Sequence, residues 1–145
     1  MSGLIYLDTS AVIKRVFVET ESIALRDAIT DAIDSGERFV TSALTLVEVS
    51  RGVRRRVDHE SAAALRSAVA KAVDDTAIVP IDDRTVECAR IIGPPVLRSL
   101  DAIHLATATA LGADELWTYD ERLAQASEEM GIPARMPGRE LASGN

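Results

Sequence analysis

The chain is short of cysteine, lysine and aromatic residues, and it has no long apolar run. The single cysteine, Cys88, makes an internal disulfide impossible. Set among Val86, Ala89 and Ile92, it reads as a small core residue. No apolar stretch approaches the roughly 18–20 residues that span a bilayer. The opening Met1-Ser2-Gly3 lacks the basic start and apolar run of a signal peptide, and the expected compartment is a reducing cytoplasm. Among few aromatics, Trp117 lies in an apolar strand and reads as core, not as a platform for stacking bases. Lysine is nearly absent: the basic side chains are fourteen Arg against Lys14 and Lys71. Arg matches phosphate bidentately where Lys acts as a point charge. The net charge of −7 repels nucleic acid in bulk, so distribution decides. The densest basic cluster is Arg51, Arg54, Arg55 and Arg56, which fits either a solvated helix face or a phosphate-binding patch.

What is present fits one globular domain: 145 residues, 47% hydrophobic and 27% charged. Residues 1–137 are expected to fold as one unit, with a poorly ordered tail over 138–145. Leu4 to Leu7 reads as a buried strand, and Ser10 to Val16 as a short helix. Leu25, Ala28, Ile29, Ala32 and Ile33 recur at helical spacing within a helix from about Glu21 to Ser35, closed by Gly36. Phe39-Val40 is a second strand, and Ser42 caps the helix that carries Leu44, Val47, Glu48 and Arg51. A helix over about Glu60 to Val73 follows, with His59 exposed near its start, and then a strand over Ala77 to Ile81. Asp83 opens a helix ending near Gly93, stopped by Pro94-Pro95. Ser99 caps a helix to Leu111. Glu115 to Thr118 is the fourth strand, a helix runs from Asp120 to about Met130, and Ile132 to Met136 is a last short strand. This alternation predicts an α/β fold, a three-layer α/β/α sandwich around a short parallel sheet.

In such sheets ligands sit beyond the carboxyl ends of the strands. Asp8 follows the first strand and Asp120 the fourth, although either could simply cap a helix. Glu48 and Asp101 stand inside otherwise apolar helix faces. A carboxylate there must be paired, protonated or metal-bound. Singly, Glu48 could pair with Arg51 and Asp101 could serve the helix dipole. Together the four have one explanation. At about 5 Å and an effective dielectric near 20, each charged pair costs roughly 3 kcal/mol, which a folded pocket tolerates only with protons or a cation. All-oxygen donors favour Mg²⁺ or Mn²⁺ over zinc. The chemistry suggested is phosphodiester hydrolysis.

At these residues the sequence resembles the PIN-domain family, specifically the VapC toxins. The matching pieces run from Tyr6-Leu7-Asp8-Thr9-Ser10 through Thr45-Leu46-Val47-Glu48-Val49 to Leu100-Asp101-Ala102-Ile103-His104 and Trp117-Thr118-Tyr119-Asp120. The resemblance spans about residues 4–136. It implies a Mg²⁺- or Mn²⁺-dependent endoribonuclease with Asp8 and Asp101 as metal ligands. Glu48 and Asp120 complete the acidic set, directly or through water, with help from Thr9, Ser10 and Thr118. It also implies a homodimer, a cognate antitoxin that silences the protein, a structured RNA target such as tRNA or rRNA, and DNA contact only through the antitoxin. His104 is expected to serve helix packing or a dimer interface more than the site. A haloacid-dehalogenase-type phosphatase would need an acid at position 10, which is Ser, and a phosphate-receiving signalling domain would need a late Lys. The remaining alternative is a non-catalytic, metal-stabilised binding module acting in an antitoxin–DNA complex.

Overall fold

A computed structural model describes residues 2–57 and 61–139. Five strands are β1 (Leu4–Leu7), β2 (Arg38–Ser42), β3 (Thr76–Val79), β4 (Glu115–Trp117) and β5 (Ala134–Arg135). Among the described residues the helices are α1 (Thr9–Val16), α2 (Ser22–Asp34), α3 (Ala43–Arg56), α4 (Ala62–Ala72), α5 (Asp83–Ala89), α6 (Ser99–Ala110) and α7 (Glu121–Glu129).

All the strand pairs are parallel, in the order β3-β2-β1-β4-β5. The first strand is therefore central. Strand alternation divides the core. Ile5, Leu7, Phe39 and Trp117 face one side, packed by Val12, Leu25, Val49 and Val69 of α1 to α4. Tyr6, Val40 and Leu116 face the other, packed by Leu105 of α6 and Leu123 of α7. The result is the three-layer α/β/α sandwich. Trp117 is fully buried, edge-on to Phe39 at 5.2 Å, and its indole N–H donates to Glu115 Oε2.

Several local expectations are corrected. The third strand stops at Val79, because Pro80 has no N–H to donate to a ladder. The fifth helix ends at Ala89 instead of near Gly93, and an exposed loop carries the chain to α6. Cys88 is only half-buried, because Thr85 is the one fully buried residue of that short surface helix. Ser99 is the first helical residue of α6, and Arg98 occupies the cap position without a side-chain hydrogen bond. His59 and residues 140–145 lie outside the described residues. Gly138 and Arg139, at the start of the expected tail, turn back onto the domain: Arg139 bonds Glu21 Oε1 and the Tyr119 carbonyl. Gly138 makes that approach at φ +86°, where a Cβ would lie 2.6 Å from the Cβ of Ala24.

Candidate active site

Strand register builds the centre of the site. Leu7 of β1 pairs with Trp117 of β4, so Asp8 and Thr118 emerge side by side at the carboxyl ends of neighbouring strands. The Thr118 hydroxyl donates to Asp8 Oδ2 at 2.6 Å. The Ser10 hydroxyl donates to Oδ1 at 2.7 Å, and the Ala11 amide bonds the same oxygen at 3.0 Å. That amide bond makes Asp8 the N-cap of α1, so the cap reading is met. Ser10 also accepts from the Tyr119 amide at 2.8 Å, tying α1 to the loop after β4. Asp8 is only 3% exposed, and burial pushes its carboxyl above the usual range against the pull of His104, Thr118, Ser10 and Ala11.

Asp120 stands two residues further on and caps α7, with Oδ1 accepting from the amides of Arg122 and Leu123. Asp101 projects from the first turn of α6. Its carboxyl is pushed up to about 6, by burial first and then by the negative charges of Asp120, Asp8 and Glu48, with His104 opposing. Asp101 therefore feels the charges of the other three acids.

Glu48 pairs with Thr9 and His104 and not with Arg51, the alternative open to it when taken singly. Its Oε1 accepts from the Thr9 hydroxyl at 2.7 Å and lies 2.7 Å from His104 Nε2. Burial pushes this carboxyl up, but the hydrogen bonds from His104 and Thr9 outweigh it and hold Glu48 below the usual range. His104 is 2% exposed, as expected of a packing residue, and is also bonded to Glu48. The sequence reading missed Tyr6, whose hydroxyl lies 2.7 Å from His104 Nδ1. A signal existed: strand alternation puts Tyr6 and Asp8 on the same side, and Asp101 and His104 lie one helical turn apart.

Among the described residues, no group of three or more His, Cys, Asp or Glu side chains is placed to cage an ion. The donor set suits a hard cation that keeps several waters and takes one or two carboxylates directly, and it lacks the nitrogen and sulfur donors of a closed zinc site. The raised carboxyl of Asp101 marks excess negative charge that such a cation would neutralise.

Residues 5–129 match the family model described as PIN domain. The chain is 41% identical over 141 residues to "Ribonuclease VapC35" of Mycobacterium tuberculosis, covering 94% of this chain and 98% of that protein. Its fold is similar to the crystal structure of M. tuberculosis VapC20, titled a sarcin–ricin loop cleaving toxin. There the TM-score is 0.63 at 17% identity, over 84% of this chain and 94% of that one. It is also similar to a toxin–antitoxin complex from Klebsiella pneumoniae, with TM-score 0.62 at 21% identity, over 97% of this chain and 100% of that one. With the acids gathered at the carboxyl ends of a parallel sheet and the match running nearly end to end, the chain belongs to the PIN-domain family, alongside the VapC proteins.

Proposed function

We propose that this chain is the toxin of a bacterial toxin–antitoxin pair, a Mg²⁺- or Mn²⁺-dependent endoribonuclease that hydrolyses RNA phosphodiester bonds at Asp8, Glu48, Asp101 and Asp120. The observation that carries the reading is the placement of Asp8 and Asp120 after neighbouring parallel strands, with Asp101 near enough for its carboxyl to feel them beyond the effect of its own burial. Asp8 and Asp101 would hold the cation, with Glu48 and Asp120 joining directly or through water. The cation would supply Lewis acidity, making water easier to deprotonate and offsetting charge on the phosphate oxygens.

The chain's own residues have separate tasks. Ser10, Thr118 and the Ala11 amide fix the Asp8 carboxylate before substrate arrives, so little ordering remains to be done in the reaction. Glu48 has Oε1 engaged and Asp120 has Oδ1 engaged, and the other oxygen of each can take a proton from the attacking water. Arg51, Arg54 and Arg55 continue along α3 beyond Glu48, exposed, and would grip backbone phosphates of the RNA. The target is a structured RNA of the tRNA or rRNA kind. The protein works as a homodimer, is silenced by a cognate antitoxin, and meets DNA only through it. No described helix is long and apolar enough to cross a membrane. The non-catalytic module is not favoured: the acid set is intact, and the similar curated protein is named a ribonuclease.

The test is cleavage of total cellular RNA by purified protein in Mg²⁺, in Mn²⁺ and in EDTA, beside Asp8→Asn and Asp101→Asn. Discrete fragments that need metal and vanish in both folded variants are expected. Cleavage that persists in EDTA, or equals wild type in the variants, refutes the mechanism.

A further inference from the structure

Behind Glu48 lies a buried chain of polar groups that the proposed chemistry does not use. Tyr6 on β1 and His104 on α6 stand 98 residues apart in sequence, with hydroxyl and Nδ1 at 2.7 Å. On the far side of the imidazole, Nε2 faces Glu48 Oε1 at 2.7 Å and Thr9 Oγ1 at 3.2 Å. Tyr6 is fully buried and His104 is 2% exposed, so neither can touch an RNA substrate. Glu48 keeps 23% of its side chain exposed and is the one member of the chain that reaches the site.

The carboxylate fixes which ring nitrogen of His104 must carry a hydrogen. An ionised carboxylate has no proton to give, so Nε2 must carry the hydrogen and donate it to Glu48 Oε1. In the neutral ring Nδ1 is then a bare acceptor and the Tyr6 hydroxyl donates to it; in the imidazolium Nδ1 donates to the Tyr6 oxygen. Burial pushes the Tyr6 phenol far above its ordinary value, so it keeps its proton. Thr9 donates its own hydrogen to Glu48 Oε1 at 2.7 Å. Two donors thus converge on Oε1, while among the described residues Oε2 takes no protein hydrogen bond.

We propose that Tyr6 and His104 are positioning residues: they lock the Glu48 carboxylate so that Oε1 points into the protein and Oε2 alone is presented to the cation and the attacking water. This rests on the nuclease reading of the acidic site. A glutamate on three rotatable bonds would otherwise sample many orientations, and its working oxygen would be aimed only part of the time. The edge-on ring contact of Tyr6 and His104, at 5.8 Å between centroids and 67° between planes, fixes the imidazole plane itself.

The experiment has two arms. Nitrogen-15 NMR of the metal-free protein at pH 7.5 reads where the His104 proton sits, independently of activity. A proton on Nε2 is expected, and a proton on Nδ1 alone overturns the proposal. The second arm measures Mn²⁺ affinity and cleavage kinetics for Tyr6→Phe, His104→Leu and His104→Gln, with folding checked by circular dichroism. His104→Leu should lose about 10–100-fold in Mn²⁺ affinity or kcat with KM little changed, the usual effect of removing the group that orients a ligand. Tyr6→Phe keeps the ring and should lose less in the same direction. His104→Gln, whose amide reaches as far as Nε2, should recover much of the loss. Wild-type values in folded His104→Leu, or a Gln variant no better than Leu, overturn the positioning role. A wild-type protein that neither binds Mn²⁺ nor cuts RNA overturns the nuclease reading instead, and the NMR arm still decides the hydrogen-bond assignment.

Discussion

Replacing Asp101 by Asn separates what the acidic site costs from what it does. In the metal-free protein the carboxyl sits at about 6 instead of its ordinary 3.8, because it is half-buried and faces Asp120, Asp8 and Glu48. At 1.36 kcal/mol per pH unit this displacement corresponds to ~3 kcal/mol against the folded state once the group is ionised. Asp101 is partly open to water, and screening reduces the figure to about 1–2 kcal/mol. The sign follows from linkage. Between pH 4 and 6 the folded chain holds the proton more tightly than the unfolded chain, so wild type loses stability as pH rises through that window. Asp101→Asn lacks this loss. Thermal melts in EDTA should show no gap near pH 4, a gap opening towards pH 6, and above that a variant melting roughly 3–8 °C higher than wild type. Saturating Mg²⁺ should stabilise wild type more than the variant and narrow or reverse the gap. An Asn variant that melts below wild type in EDTA at pH 7.5 would refute the idea that the acids strain the empty site. A gap independent of pH would refute it equally.

Burial raises the Asp8 carboxyl too, but Asp8 has a structural role besides. It caps α1 and satisfies the Ser10 and Thr118 hydroxyls, so Asp8→Ala should lose about 1–3 kcal/mol in urea melts even in EDTA; an unchanged midpoint would deny it a structural role. Asp75 forms a two-pronged pair with Arg15, at 2.6 and 2.8 Å, and partial burial that would raise its carboxyl is outweighed by that pair. Its stabilising effect is present above the ordinary Asp value and is lost as pH falls through the lower folded value, so Arg15→Lys should narrow its stability difference from wild type in strong acid. A difference that stays constant with pH counts against this. Replacing Arg51, Arg54 and Arg55 together by Ala should weaken RNA binding uniformly across sequences and reduce the slope of log K against log salt by about 2, at ~0.7 per lost contact to a single strand. An unchanged slope returns those arginines to plain solvation.

The sequence showed every strand of the sheet and all the helices described, because their periodicities are local. It also placed Asp8 and Asp120 at strand ends, since a parallel sheet brings such ends together whatever lies between them. Boundaries slipped where a backbone donor was missing, as at Pro80, or where a surface helix had little to bury, as at Cys88. The wiring of the site was harder to read. Asp8 meets Thr118 across 110 residues and Tyr6 meets His104 across 98, and no local pattern encodes such partners. His104 looked like a packing residue because its helical neighbours Leu105, Ala106 and Ala108 are all core. The same burial is what makes its two ring nitrogens demand partners.

The strand order has a consequence for how the protein is made. The central strand precedes the other four in the chain, but one of its two neighbours in the sheet, β4, is formed by residues 115–117. Asp8 and Glu48 are synthesised early, whereas Asp101 and Asp120 arrive in the last third of the chain. At ordinary elongation rates, roughly 6–20 s separate the first acid from the last. During that interval the growing polypeptide has half an acidic site and no β4 to hold Asp8 in place. A polypeptide that stops before α6 carries only Asp8 and Glu48, so the order of synthesis withholds the four-acid site until α6 and β4 have been made.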